Sequence, residues 1–294
     1  MKKHLRSDSK VFPFLSLIVL AVIWGSSFIL MKRGLEAYSP IQVGALRVVL
    51  SALVLLPVAW KHHHQFLRKY WKHFLFFACV TNLLPAILFA QAQSQISSSL
   101  AGILNSMTPI FTFGIGIIFF ASPFKVNQAA GLIMGIAGSV MLILFSGGGL
   151  GNINYYALFV VLATMFYGMG NNFLRKHFMG IPPVALTAVS FLTVLPVAFT
   201  ILVLAGFFGT VTTHPLAMQS LGYIFILAIV GTAMSLILFN KLIQTTSAVF
   251  ASTVTYLIPI VAVAWGLLDG ETISIMHIGG LILIISGIWF VSKG

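Results

Sequence analysis

Ten apolar runs set the problem that this chain has to solve. They fall at approximately 12–31, 41–60, 74–90, 98–120, 126–146, 155–174, 182–206, 220–239, 248–268 and 275–292. Each is long enough to cross about 30 Å of hydrocarbon at about 1.5 Å per helical residue. The runs are continuously apolar instead of alternating, which favours bundled helices over a transmembrane barrel. A chain that is 59% hydrophobic and 7% charged, with a mean hydropathy of +1.06, is no soluble globular domain. The expected fold class is an all-α integral membrane protein with ten transmembrane helices. The first run passes into "WGSSF" and "KRG" instead of a small-residue cleavage site, so it is expected to stay as helix one.

The net charge of +12 would suggest nucleic acid in a soluble chain, but these cations lie in short loops at the ends of runs. No nucleic-acid partner is expected, and the bilayer itself is the first partner. With the N-terminus inside, Lys32 and Arg33 fall in the outer loops, Arg47 falls within a run, and the remaining lysines and arginines fall on the cytoplasmic side. Both termini are therefore expected in the cytoplasm. The single cysteine, Cys79, cannot form an internal disulfide.

The chain also repeats itself. In "ILFAQAQSQISSSLAGILNSMTP" and "ILFNKLIQTTSAVFASTVTYLIP", Ile87, Leu88, Phe89, Ser97, Ala101 and Pro109 match Ile237, Leu238, Phe239, Ser247, Ala251 and Pro259 at a fixed offset. "WGSSFILMKRG" likewise lies against "YGMGNNFLRKH", with an aromatic-Gly pair in front and paired cations behind. The division falls at "SGGGLGN", a flexible hinge between residues 12–146 and 155–292. Five runs per half is an odd number, so the second copy enters the membrane from the opposite side. Lys32 and Arg33 then have inverted counterparts in Arg175 and Lys176, placed to anchor at the interface, to neutralise helix C-termini, or to flank the mouth of a pathway. Inverted repeats expose one central site to either side in turn, which points to a transporter.

The order of these features resembles a known family. "WGSSFILMKRGLEAYSPIQVGALRVVLSAL", the late prolines of runs four and nine, and "LLDGETISIMHIGGLILIISGI" are similar to the EamA-type branch of the drug/metabolite transporter superfamily. The resemblance implies two inverted five-helix repeats that carry a small metabolite, often outward, across the inner membrane. Family members carry amino acids, purines, vitamins, sugars or drugs, so no single substrate follows. Where the first repeat of the family often has Gly-Glu, this chain reads "ASPFKVNQ", while the second retains Gly270 and Glu271.

Polar groups inside a span are costly unless paired or wet, which makes them the candidate site. The candidates for contact with a substrate are Trp24, Ser27, Asn82, Ser98, Asn105, Tyr167, Asn171, Ser252, Thr255 and Tyr256. Tyr167 and Asn171 share a helical face, as do Ser252, Thr255 and Tyr256 on a continuous helix. Aromatic walls with hydroxyls and amides suit an amphipathic, neutral or zwitterionic solute such as an amino acid. Each of these residues is equally able to join helices. Lys32 and Arg47 are the candidate charges along a pathway, with Arg47 open to pairing with Glu36, with helix carbonyls or with a carboxylate solute. Pro85, Pro109 and Pro259 are the candidate kinks about which helices bend. Gly131, Gly135, Gly280 and Gly287 form small-residue surfaces fit either for contact between repeats or for a homodimer.

The four acids, Asp8, Glu36, Asp269 and Glu271, are all expected in tails or loops, so no carboxylate proton relay is expected within a span. This favours a facilitator or exchanger, with His277 near the start of run ten as a group that could titrate near neutral pH. Three adjacent histidines, His62 to His64, point in different directions on a helix and do not make a metal site. No cofactor and no catalytic residue are expected. A membrane-embedded enzyme would need a nucleophile-base pair or a metal cluster, and no such motif occurs. A regulatory or scaffold membrane protein remains the other class, distinguished by carrying no flux.

Overall fold

A computed structural model describes residues 11–121, 126–145 and 154–293. The expected hinge "SGGGLG", Asp8 and residues 122–125 of the divergent "ASPFKVNQ" lie outside the described residues. Every regular element among the described residues is helical. The first half contains α1 (Val11–Gly34), α2 (Pro40–Ala78), α3 (Leu84–Gln93), α4 (Ser98–Asn105), α5 (Thr108–Phe120) and α6 (Val126–Leu144). The second contains α7 (Ala157–His177), α8 (Pro183–Leu204), α9 (Phe207–Thr213), α10 (Ala217–Ala228), α11 (Ser235–Thr245), α12 (Ala248–Ser252), α13 (Ile258–Leu268) and α14 (Ile275–Lys293).

Among the described residues, seven helices are long and apolar enough to cross a membrane, and Ile133–Leu142 and Ile275–Gly287 are shorter apolar stretches. One of the seven, Pro40–Gln93, runs for 54 residues. At about 1.5 Å per residue it exceeds twice the thickness of the hydrocarbon layer. It starts from a capping box: the Ser39 side chain accepts from the Gln42 N–H, the Gln42 side chain accepts from the Ser39 N–H, and Pro40 occupies the first turn. Its helical path is interrupted at Tyr70, whose φ of −119° and ψ of 16° are not helical.

The prolines mark the other interruptions. Pro85 opens α3 directly after a π-helical turn, Cys79–Leu83. Pro109 opens α5 after α4 stops at Asn105, and Pro259 opens α13 after a 3-10 turn, Thr253–Tyr256. A proline lacks the N–H that a continuous ladder needs, but its fixed φ suits a first turn. The two halves repeat these irregularities at the same offset. A second π turn, Ile229–Met234, answers Cys79–Leu83, and Ser97 and Ser247 cap α4 and α12 by accepting from the Leu100 and Phe250 N–H groups. Such π turns gather at functional positions because they displace side chains from the regular helical face.

Contacts between the halves follow the same pairing: α2 lies on α8, α6 on α14, α1 on α13 and α11, and α7 on α5 and α3. The small-residue surfaces serve the second of these pairs. A Cβ added at Gly287 would stand 2.5 Å from the Gly131 carbonyl oxygen and 2.7 Å from the Gly135 nitrogen, so α6 and α14 meet backbone to backbone within one chain.

Candidate functional site: a central cavity with two unlike closures

The corresponding helices leave a cavity between them. Trp24, Ser27, Phe28 and Met31 of α1, Arg47 and Val48 of α2, and Phe77 and Phe89 line the first-half wall together with Thr81 and Asn82 of the π turn and Asn105 of α4. Tyr167 and Asn171 of α7, Thr187 and Ser190 of α8, Thr232 of the second π turn, Phe239 and Asn240 of α11, and Thr255 stand on the facing wall. The centre of a water-sized sphere can move through about 90 Å³ of this space. One water needs roughly 10 to 15 Å³ on that measure, so the cavity holds a small solute or a short file of waters.

Aromatic rings span the cavity from one half to the other. Phe28 meets Phe89 edge-on at 5.9 Å, Phe89 stacks on Tyr167 at 5.9 Å, and Trp24 meets Phe239 at 4.9 Å. Trp24 is held in place by its indole N–H, which donates to the Gly231 carbonyl at 3.1 Å and the Ser235 hydroxyl at 3.0 Å. Polar side chains orient one another between the rings. Asn171 donates to the Thr112 hydroxyl at 3.3 Å, Asn240 donates to the Thr187 hydroxyl at 2.9 Å, and Asn105 keeps its Oδ1 unpartnered.

Arg47 does not pair with Glu36, which instead holds Arg33 at 2.6 Å. The Arg47 Nε donates to the Thr232 hydroxyl at 2.6 Å, and that hydroxyl donates in turn to the Leu227 carbonyl at 3.0 Å. The bond from Thr232 reaches back five residues, a spacing that the π turn brings into register.

Of the residues singled out in the sequence, Trp24, Ser27, Asn82, Asn105, Tyr167, Asn171, Thr255 and Arg47 line the cavity. Ser98, Ser252, Tyr256 and Lys32 lie outside its wall. The 3-10 turn Thr253–Tyr256 breaks the continuous helical face assumed for Ser252, Thr255 and Tyr256. Ser252 is fully buried with its hydroxyl on the Val249 carbonyl, and the buried Tyr256 hydroxyl has no partner. Replacing Tyr256 with Phe is expected to raise stability by about 1 kcal/mol, read as a higher unfolding midpoint in detergent, because it deletes an unpaired buried hydroxyl. A fall in the midpoint would show that the hydroxyl has a partner in the membrane.

Thr81, Thr187, Ser190, Thr232 and Asn240 also line the cavity and are absent from the sequence-derived set. Asn240 stood in the quoted repeat opposite Ala90, one residue beyond the run 220–239, and the structure extends that span to Thr245. The same rule that selected Asn82 selects Asn240.

The end of the bundle that carries the Gly34 to Ser39 turn is closed by charge. Lys32 pairs with Asp269 and, at 3.0 Å, with Glu271, while Arg33 pairs with Asp269 and Glu36. Glu271 lies in a turn, as expected, but its side chain is only 7% exposed. Gly270 makes that inward turn with a φ of 81°, a region open to glycine. The Glu271 carboxylate accepts from the Ser98 N–H at 2.9 Å, the Ser99 N–H at 3.0 Å and the Ser99 hydroxyl at 2.7 Å. An acid from the second half therefore sits on the N-terminus of α4 in the first, where the helix dipole favours negative charge. Burial alone would raise its pKa, but the Ser99 hydroxyl, the two backbone N–H groups and Lys32 outweigh it and hold the carboxyl below its ordinary range.

At the opposite end the closure is apolar. Phe74 packs on Phe178 at 4.7 Å and Phe77 on Phe178 at 5.2 Å, within a cluster that includes Leu174, Phe239, Leu242 and Val254. Arg175, the counterpart of the Lys32 and Arg33 region, donates to the Ile243 and Thr246 carbonyls and so caps the end of α11. The two cationic pairs thus do different work: Lys32 and Arg33 form ion pairs with Asp269 and Glu271 of the second half, whereas Arg175 caps a helix C-terminus and Lys176 lies over the Phe120 ring.

A multi-helix apolar bundle around a polar and aromatic cavity has the form of a polytopic membrane transporter. The model of the EamA-like transporter family matches residues 12–144 and again residues 154–293. The chain belongs to the EamA-like transporter family and is a multi-pass inner-membrane protein. It is 24% identical to the Escherichia coli K12 protein named uncharacterized inner membrane transporter YedA, over 96% of this chain and 90% of that one. It is 26% identical to a Salmonella typhimurium LT2 protein named probable amino-acid metabolite efflux pump, over 94% of this chain and 93% of that one. The uncharacterized transporter YoaV of Bacillus subtilis is 23% identical, over 94% of each chain. One solved crystal structure shares the fold, with a TM-score of 0.63 at 14% identity, over 98% of this chain and 97% of that one.

Proposed function

We propose that the protein is a secondary transporter or facilitator that exports a small amphipathic metabolite, neutral or zwitterionic and amino-acid-like, by alternating access. The observation that carries this reading is the cavity walled by corresponding helices of the two halves, with ion pairs joining the halves towards one end and a cluster of phenylalanines towards the other. With Pro40–Gln93 counted as two crossings and the two shorter apolar stretches as one each, the helices make ten spans. The spans form two inverted five-helix repeats, with both termini cytoplasmic and the ion-paired end outside. The name of the Salmonella relative, an amino-acid metabolite efflux pump, agrees in substrate class and direction.

The cycle follows from the two closures. Opening the apolar end admits solute from the cytoplasm, and opening the ion-paired end releases it outside. The helices bend at the breaks beside Pro85, Pro109 and Pro259 and at the two π turns. No Asp or Glu lines the cavity among the described residues, so the solute gradient alone drives flux. Proteoliposomes loaded with an apolar amino acid test this reading. Saturable efflux at matched pH, unchanged by a pH step, is the expected result. Acceleration by the step contradicts the uncoupled mechanism. No flux across a panel of amino acids, purines and vitamins with folded protein contradicts transport of this class.

A further inference from the structure

We infer that Arg47 is the anchor for a carboxylate group on the transported solute, and that the cavity selects monoanionic and zwitterionic acids over the corresponding amides and amines. This rests on the transporter reading for its physiological meaning but not for its test.

Arg47 is a cation without a counter-charge. The described acids Glu36, Asp269 and Glu271 all lie at the ion-paired end, where they are matched to Lys32 and Arg33. Arg47 sits two turns inside α2, lines the cavity, and uses its Nε on Thr232. Among the described residues, its two terminal nitrogens have neither a hydrogen bond nor an ion pair. Their N–H groups form a fork that matches the two oxygens of a carboxylate. A guanidinium held at membrane depth with only neutral neighbours is costly, and an anionic solute relieves that cost while bound.

The charge count also limits the anion. One cation offsets one negative charge, which favours a carboxylate over a phosphate dianion. An ammonium beside the carboxylate is tolerated, because the amide side chains of Asn82, Asn171 and Asn240 line the wall and can offer it an acceptor. An ammonium without a carboxylate meets Arg47 as a like charge. The rings of Trp24, Phe28, Phe89, Tyr167 and Phe239 receive the apolar remainder of the solute.

Four matched probes isolate the carboxylate: phenylalanine, 3-phenylpropanoate, phenylalaninamide and phenethylamine. The purified protein is assayed with each by ligand-dependent thermal stabilisation and, in proteoliposomes, by flux. Phenylalanine and 3-phenylpropanoate are expected to act at concentrations roughly 10- to 100-fold lower than the amide and amine, the scale of one or two charged hydrogen bonds. Arg47→Gln is expected to remove the advantage of the two acids, weakening them while relieving the like-charge repulsion felt by the amide and amine, and Arg47→Lys to recover part of the difference. The wild-type series stands without the variants, so a misfolded variant does not weaken it. Equal stabilisation by all four probes, or by none, overturns the carboxylate anchor even if flux is seen. Carboxylate-selective stabilisation without flux upholds the anchor and contradicts the transporter reading instead.

Discussion

Glu271→Ala is expected to lower the stability of the closed state by roughly 2 to 4 kcal/mol, the range for removing one partner from a buried, charge-assisted network. The substitution strands the Ser98 and Ser99 N–H groups at the start of α4 and removes one of the two acids that hold Lys32. Thermal unfolding in detergent measures the loss, and an unchanged midpoint would contradict the role given to this carboxylate. Lys32→Met is expected to cost less, because Lys32 is 36% exposed and water already screens it. Its removal leaves Glu271 held by three donors from Ser98 and Ser99. The pH dependence has a fixed sign. A carboxyl whose folded pKa is depressed contributes its full stability above the ordinary carboxylate range and loses it as pH falls below that range. The difference between wild type and Glu271→Ala is therefore expected to be constant at neutral pH and to shrink only in acid. A difference that shrinks near pH 7 would assign the effect to another group.

Gly168→Leu is expected to abolish folded protein. A Cβ at Gly168 would stand 2.7 Å from the Thr112 nitrogen and 2.8 Å from the Phe111 carbonyl carbon, both backbone atoms of α5. No side-chain rotation relieves that contact, so α5 and α7 must separate. Their separation takes with it the bonds from Asn171 and Asn172 to Thr112 that order this wall of the cavity. Alanine at the same position is expected to cost roughly 1 to 3 kcal/mol, as overpacking does, and leucine more. Gly222→Ala on α10 is the control: nothing lies within 4 Å of its added Cβ, and the change is expected to be neutral. Normal yield and monodispersity of Gly168→Leu would show that the two helices are further apart than described.

The apolar runs and the price of polar groups in hydrocarbon made the helical fold and eight of the residues that line the cavity legible. Asn82, Asn105, Asn171 and Arg47 stand out because a sequence that spends few polar residues places them inside spans. What escaped depends on distant chain segments. Glu271 reads as a loop acid until the turn at Gly270 carries it to Ser98 and Ser99, 173 and 172 residues away. The Thr232 partner of Arg47 lies 185 residues along the chain. Tyr256 misled for a local reason: a helical wheel assumes 3.6 residues per turn, and the chain tightens to a 3-10 turn where that assumption was used.

Alternating access is the claim on which the rest depends, and the accessibility of one cavity position tests it most directly. Cys79 is the sole cysteine, so Cys79→Ser gives a thiol-free background into which Ser27→Cys places a single probe on the cavity wall. In sealed vesicles of known orientation, a membrane-impermeant thiol reagent is added from one side or the other, with and without solute. The account predicts modification from both sides, with the balance between the sides shifted by a transported solute. Modification from one side only, under every condition, would contradict it.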